Sequence, residues 1–267
     1  MKKVSALTIV KIIVLIILLA IIGYESVMLY HDQKEYAISK NEYEDIIDSY
    51  VQENEDETTS LDDEEALSDD NYPHLIIDFV ALKKINPDFI GWLYFPALNI
   101  SYPVVKENEI DQYLYRTFEG KSNKAGCIFM DVLSNRDFSG YSDMIFGHNM
   151  KNGTMFGNLK KLYKQNGEDV LKNRPYVYIY TEHKVYRYDI FSYYITKSGS
   201  YTYDEVKDTD KYDEYVDYAV RNSIYDSQGK IDFSSHPNLL TLSTCSGAHG
   251  SGQRFVVHTY RTKTWEN

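Results

Sequence analysis

Between residues 89 and 260 the sequence divides into eight short apolar or aromatic runs bounded by Gly, Pro and Asn. They cover 89–95, 100–105, 126–130, 142–146, 176–180, 185–195, 239–244 and 254–260. Runs this short between turn formers read as strands. So many strands in one segment must hide their edges, which predicts a mainly β fold, either a closed barrel or a sandwich. Three helices interrupt the pattern. Leu75, Ile76, Phe79, Val80 and Leu82 recur at near-helical spacing and end at Lys83-Lys84, before Asn86-Pro87. A second helix is predicted over 154–165. A third covers about 209–226, where Tyr212, Tyr215, Val216, Tyr218, Ala219 and Ile224 form a stripe. The chain contains 26 Tyr, most of which are expected on strands as half-buried amphipathic residues.

The first 70 residues follow other rules. Lys2 and Lys3 precede an apolar stretch over 4–24, broken only by Lys11. This length suits a bilayer span. Lys11 can snorkel to the cytoplasmic face and let the span run on to residue 30. The residues after the apolar core, Tyr24-Glu25-Ser26-Val27-Met28, form no small-x-small cleavage site. A retained signal-anchor over 1–30 is therefore expected rather than a cleaved signal. Basic residues before the span and acidic ones after it orient the N-terminus inside and the rest outside. Residues 41–70 carry fourteen Asp or Glu and no Lys or Arg. The segment 31–71 is expected to be an acidic, self-repelling extracellular tether, with a short helix possible around 42–50. On this reading 72–267 is the working domain and folds without the first 70 residues.

The net charge of −12 belongs to that segment, because 71–267 is neutral. A neutral domain argues against nucleic-acid binding. Two cysteines exclude a disulfide scaffold, and no CxxC or Cys/His cluster is present to hold zinc; no metal or cofactor is expected. Gly120-Lys121-Ser122 ends like a P-loop, but position 115 is Tyr where Gly is required. Neither HExxH nor GxSxG occurs.

Cysteine chemistry is left. Cys245 ends the run 239–244, and a Ser-Gly-Ala-His-Gly-Ser-Gly loop follows. A strand end at a barrel rim exposes a side chain while holding it rigidly. Arg254 opens the next run and would neighbour Cys245 across a hairpin, where a cation favours a thiolate and then an oxyanion. Of seven histidines, His148 has the matching strand-end position, in Ile145-Phe-Gly-His-Asn-Met. His31 and His74 lie in or beside the tether, His183 and His236 in polar turns, His249 in the glycine-rich loop and His258 inside a strand. On pattern alone a lone strand-end Cys is more often a structural thiol than a nucleophile.

Five collinear segments go further. They are Ile85-Asn-Pro-Asp-Phe-Ile-Gly-Trp-Leu, Tyr102-Pro-Val-Val, Gly126-Cys-Ile-Phe-Met-Asp, Gly147-His-Asn-Met-Lys-Asn-Gly-Thr-Met-Phe-Gly-Asn-Leu, and Thr241-Leu-Ser-Thr-Cys with Arg254-Phe-Val-Val. Over about 72–261 the chain resembles the class B sortases. The resemblance implies a closed β-barrel of about eight strands with an N-terminal helix and a helix inserted between late strands. It implies a membrane-anchored cysteine transpeptidase of a Gram-positive surface, whose partners are secreted proteins bearing a C-terminal sorting motif and an amine of a peptidoglycan precursor or a pilin. Cys245 matches the nucleophile, His148 the acid–base group, and Arg254 the group that steadies the carbonyl and its oxyanion. Ser243 and Thr244 would line the groove, and Leu114 matches a position that contacts the sorting peptide. The insertion over 198–237 would form one wall.

Cys127 departs from the family pattern, where another small residue is usual. It reads as a small buried hydrophobe; a disulfide to Cys245 is the alternative and would disable the nucleophile. Other enzymes fit less well. An L,D-transpeptidase would need Gly before the Cys and Arg two residues after it, where Thr244 and Gly247 stand. A papain-like protease places its Cys before its His. A tethered β-barrel adhesin with incidental thiols is the non-enzymatic reading.

Overall fold

The computed structural model describes residues 5–53, 72–172, 174–227, 231–248 and 250–267. Most of the acidic run, and His249, lie outside these residues. In chain order the elements are α1 (Ala6–Tyr50), β1 (Val51–Glu53), β2 (Leu75–Ile77), α2 (Phe79–Ile85), β3 (Phe89–Phe95), β4 (Ile100–Lys106), β5 (Ile128–Met130) and β6 (Ser142–Phe146). There follow α3 (Lys161–Lys164), α4 (Gly167–Leu171), β7 (Tyr176–Tyr180), β8 (Lys184–Lys197), α5 (Thr209–Asn222), β9 (Leu239–Cys245) and β10 (Gln253–Glu266).

Eight strands close into a barrel in the order β10-β8-β7-β3-β4-β5-β6-β9. The pairs β4–β5 and β6–β9 are parallel and the other six antiparallel. Alternation sorts the side chains. Leu240 and Leu242 of β9 and Phe255 and Val257 of β10 join the main core with Trp92, Leu93, Val104 and Ile145. The opposite face of β9, β10 and β8 supports a second cluster, in which α5 packs Tyr212, Tyr215, Val216 and Ala219 against Phe191, Tyr194 and Val256. Asp208 caps α5 by accepting from the Lys211 amide at 2.8 Å. The helix stops at Asn222, so Ile224, counted in the predicted stripe, is 61% exposed.

Two elements differ from expectation. Leu75–Ile77 is not helical; it forms a strand against β1. The helix starts only at Phe79, because the Asp78 carboxylate accepts from the Ala81 amide and fixes the N-cap there. The larger correction concerns the tether. The helix expected around 42–50 is longer: residues 31–50 continue α1, a helix of 45 residues, and most of the rest of the expected tether lies outside the described residues. Its first part, from Leu7 to Tyr30, is exposed and apolar enough to cross a membrane. From Tyr36 onward one face lies on the barrel, burying Ser39, Glu42, Tyr43 and Ile46. Tyr36, Tyr43, Ile46, Ile47 and Tyr50 supply the apolar side of the contact, and Glu42 is buried beside them.

This packing sets a prediction. A chain beginning at residue 31 should match the full domain in denaturant unfolding. Deleting 1–70 should cost about 3–6 kcal/mol, the burial of two large side chains, and equal midpoints for the two truncations would mean the helix contact is idle.

Candidate functional site

The site is built on one strand and its two neighbours. β9 and β10 pair with Cys245 opposite Arg254. The next pair outward, Ser246 with Gln253, carries the ladder hydrogen bond, Ser246 N–H to Gln253 O at 3.2 Å. Antiparallel pairs alternate, so Cys245 and Arg254 form a non-hydrogen-bonded pair, the kind whose side chains come closest. Both point to the outer face, the one α5 covers further along the strand. Cys245 is exposed, and no acidic group among the described residues forms an ion pair with Arg254.

On the other side β6 runs parallel to β9, with Phe146 beside Ser243. Two residues further along each strand stand His148 and Cys245. Three contacts extend the pairing past the strand end. The Gly147 amide donates to Ser243 O at 3.2 Å, the Thr244 hydroxyl to Gly147 O at 2.7 Å, and the Asn149 side chain to Cys245 O at 2.7 Å. Gly147 has to be Gly, since a Cβ there would lie 2.8 Å from the Phe156 ring and 2.5 Å from Ile128. His148 is thus bracketed by two residues tied to the strand of Cys245.

His148 Nε2 lies 2.6 Å from the Leu114 carbonyl oxygen. A carbonyl only accepts, so Nε2 carries the proton and Nδ1 keeps its lone pair. Burial holds the imidazole pKa below its ordinary value, partly offset by that hydrogen bond. The Tyr115 ring covers one side at 5.7 Å between centroids. A ring with a fixed tautomer and a free nitrogen can take up and return a proton.

The three remaining nominations take different positions. Ser243 is buried on the outer face, sharing a hydrogen bond of 2.9 Å with the Tyr203 hydroxyl. Thr244, expected to line the groove, is turned inward and buried; its hydroxyl holds Gly147 instead. The strand's alternation decides this, because Cys245 facing out requires Thr244 to face in. Leu114 meets the site through its carbonyl, with its side chain half-buried. Sequence reasoning missed Asn149, which stood inside the quoted Gly-His-Asn-Met, and Tyr203, one tyrosine among 26 with nothing local to single it out. Tyr203 also stacks on Phe146 and brings the inserted segment beside Cys245 and Arg254.

Both thiols are free. Cys127 is fully buried at the start of β5, and burial pushes its pKa up to about 12. It packs as the small hydrophobe expected of it. Among the described residues no group of His, Cys, Asp or Glu could hold a metal ion.

A sortase domain matches residues 93–262. The chain belongs to the sortase family. Sortase B of Listeria monocytogenes is 32% identical over 165 residues, 61% of this chain; the match spans 65% of that protein's length. Sortase B of Staphylococcus aureus is 25% identical over 267 residues, 96% of both chains. Among solved structures, sortase B from Bacillus anthracis in complex with AAEK1 superposes with a TM-score of 0.66 at 25% identity, covering 86% of this chain and 99% of that one. Clostridium perfringens sortase B gives 0.62 at 30% identity, covering 69% and 99%. These relatives agree with the class B resemblance read from the sequence.

Two measurements test the geometry. A methanethiosulfonate should modify Cys245 at least ~100-fold faster than Cys127, given one exposed thiol and one buried with a raised pKa. In a Cys245→Ala protein, NMR titration should put the His148 midpoint below the ordinary value of about 6.5. A midpoint above that would contradict the burial of the ring.

Proposed function

We propose that this sortase is a membrane-anchored cysteine transpeptidase that cuts a C-terminal sorting motif in secreted proteins and transfers the new carboxyl end to an amine. The observation that carries the reading is the register of β9, with Cys245 opposite Arg254 on β10 and beside His148 after β6. In the first step the proton of Sγ passes to His148 Nδ1, and the thiolate attacks the scissile carbonyl carbon. Arg254 stabilises the oxyanion that forms. The C–N bond then breaks as Nδ1 gives its proton to the leaving amine, which leaves a thioester on Cys245. An incoming amine attacks the thioester, yields its proton to Nδ1 and releases Cys245. Its source is a peptidoglycan precursor or a pilin. Burial of His148 lowers its pKa and so disfavours the imidazolium in the free protein.

The rest of the reading concerns placement and selection. The apolar part of α1 anchors the protein in the cell membrane as a single pass, with the N-terminus cytoplasmic and the barrel outside. The acidic run over 54–70 repels anionic envelope polymers. The segment 198–237, leaning on Ser243 through Tyr203, forms one wall of the groove, and Leu114 flanks it on the other side.

Full-length Cys245→Ala should lose peptide cleavage entirely while keeping its circular dichroism. His148→Ala and Arg254→Ala should each lose at least ~100-fold in kcat/KM; activity in the Cys245→Ala protein at the wild-type level would end the proposal. Exchanging 198–237 for the matching segment of a class B enzyme with another preference should change which motif is cleaved and leave the Cys245 alkylation rate as it was. A folded chimera that keeps the original preference would make the insertion mere packing.

A further inference from the structure

The long link between β4 and β5 carries the carbonyl that fixes His148, and α1 grips that same link. Contacts through side-chain groups join them. The Tyr43 hydroxyl donates to Gly126 O at 2.7 Å, the Asn123 side chain to Glu35 O at 3.0 Å, and the Glu119 amide to the Glu42 carboxylate at 3.1 Å. Lys124 pairs with Asp32 at 2.5 Å. Tyr43 is 4% exposed, and Glu42 and Asn123 are also buried.

From this grip a short path runs to the imidazole. Gly126 sits at φ +59, and a Cβ on it would lie 2.4 Å from the Leu114 carbonyl oxygen. Its backbone therefore rests directly on the atom that receives the His148 N–H. The amide of the adjacent Cys127 donates to Tyr113 O, and the Asn123 amide to Tyr115 O, closing the link on both sides of Leu114. The Tyr113 amide is held in turn by the Glu107 carboxylate at 3.2 Å. Nothing else hydrogen-bonds the imidazole among the described residues.

We infer that α1 is part of the catalytic unit: Tyr43 is a positioning residue that, through Gly126, holds the Leu114 carbonyl against His148. The inference rests on the acid–base reading of His148. The helix that bears the membrane segment thereby sets the orientation of the imidazole, and docking of α1 on the barrel becomes a condition of full activity.

The test is Tyr43→Phe in the full-length, detergent-solubilised protein, with Tyr43→Ala beside it. Tyr43→Phe keeps the ring packing and removes only the hydroxyl. It should retain the wild-type melting temperature, lower kcat about fivefold, the scale of one lost hydrogen bond, and leave KM for the peptide within about twofold. The pH limb of kcat assigned to His148 should move to lower pH, because the Leu114 carbonyl favours the protonated ring. Tyr43→Ala should lose stability as well, and Phe should restore stability without restoring kcat. Unchanged kcat and an unmoved limb in Tyr43→Phe would overturn the inference, as would a loss of kcat that merely follows the melting temperature. Failure of the acid–base reading itself would show separately, as activity retained in His148→Ala.

Discussion

The site depends on the register of β9. This strand is paired on both sides, parallel to β6 and antiparallel to β10, so its alignment fixes His148, Cys245 and Arg254 together. A slip of one residue would turn Cys245 into the barrel and Thr244 out. Leu240 and Leu242 prevent that. They share the interior with Phe255 and Val257 of β10, and turning both leucines outward would cost more than any ladder bond returns. The catalytic face is thus specified by residues that take no part in the chemistry. Thr244 adds a lock of its own by holding Gly147, which ties the start of the His148 turn to the strand of the thiol.

Below Cys245 the outer face of β9 is polar but buried, an arrangement tolerated only if every group is paired. Thr241 lies 2.9 Å from His258 Nδ1, Tyr194 bonds His258 Nε2 at 3.0 Å, and Tyr215 reaches both Thr241 and His258. Burial keeps this second histidine neutral, with a pKa pushed down to about 3. A separate hydroxyl pair, Ser243 and Tyr203, lies on the same face closer to the thiol. Many of the tyrosines therefore serve one purpose: α5 and the turn before it sit on β9 through directional bonds as well as apolar contact.

The N-terminal helix links the two halves of the protein differently from a tether. A continuous helix of 45 residues is about 68 Å long. Its first part is exposed, apolar and long enough to cross a membrane, while its last part is one-sided and packs on the barrel. The barrel cannot drift freely on such a strut. In chain order the acidic run comes after the helix, between β1 and β2.

Several features were fixed locally and could be read from the chain. All eight barrel strands were legible, because apolar runs bounded by turn formers depend on neighbours in sequence. The strand-end positions of Cys245, His148 and Arg254 follow from the same runs, and their segments carry the family resemblance. The tertiary structure decided what depends on partners distant in the chain. It showed which face of β9 looks outward, which made Thr244 a lock rather than a groove residue. It brought Tyr203 to Ser243 across 40 positions and the Leu114 carbonyl to His148 across 34. It also extended the short helix expected around 42–50 into a packed helix that takes in all of residues 31–50. Tyr43 and Ile46 look unremarkable among acids in the sequence, and only the barrel surface facing them supplies the apolar area that makes the helix stay.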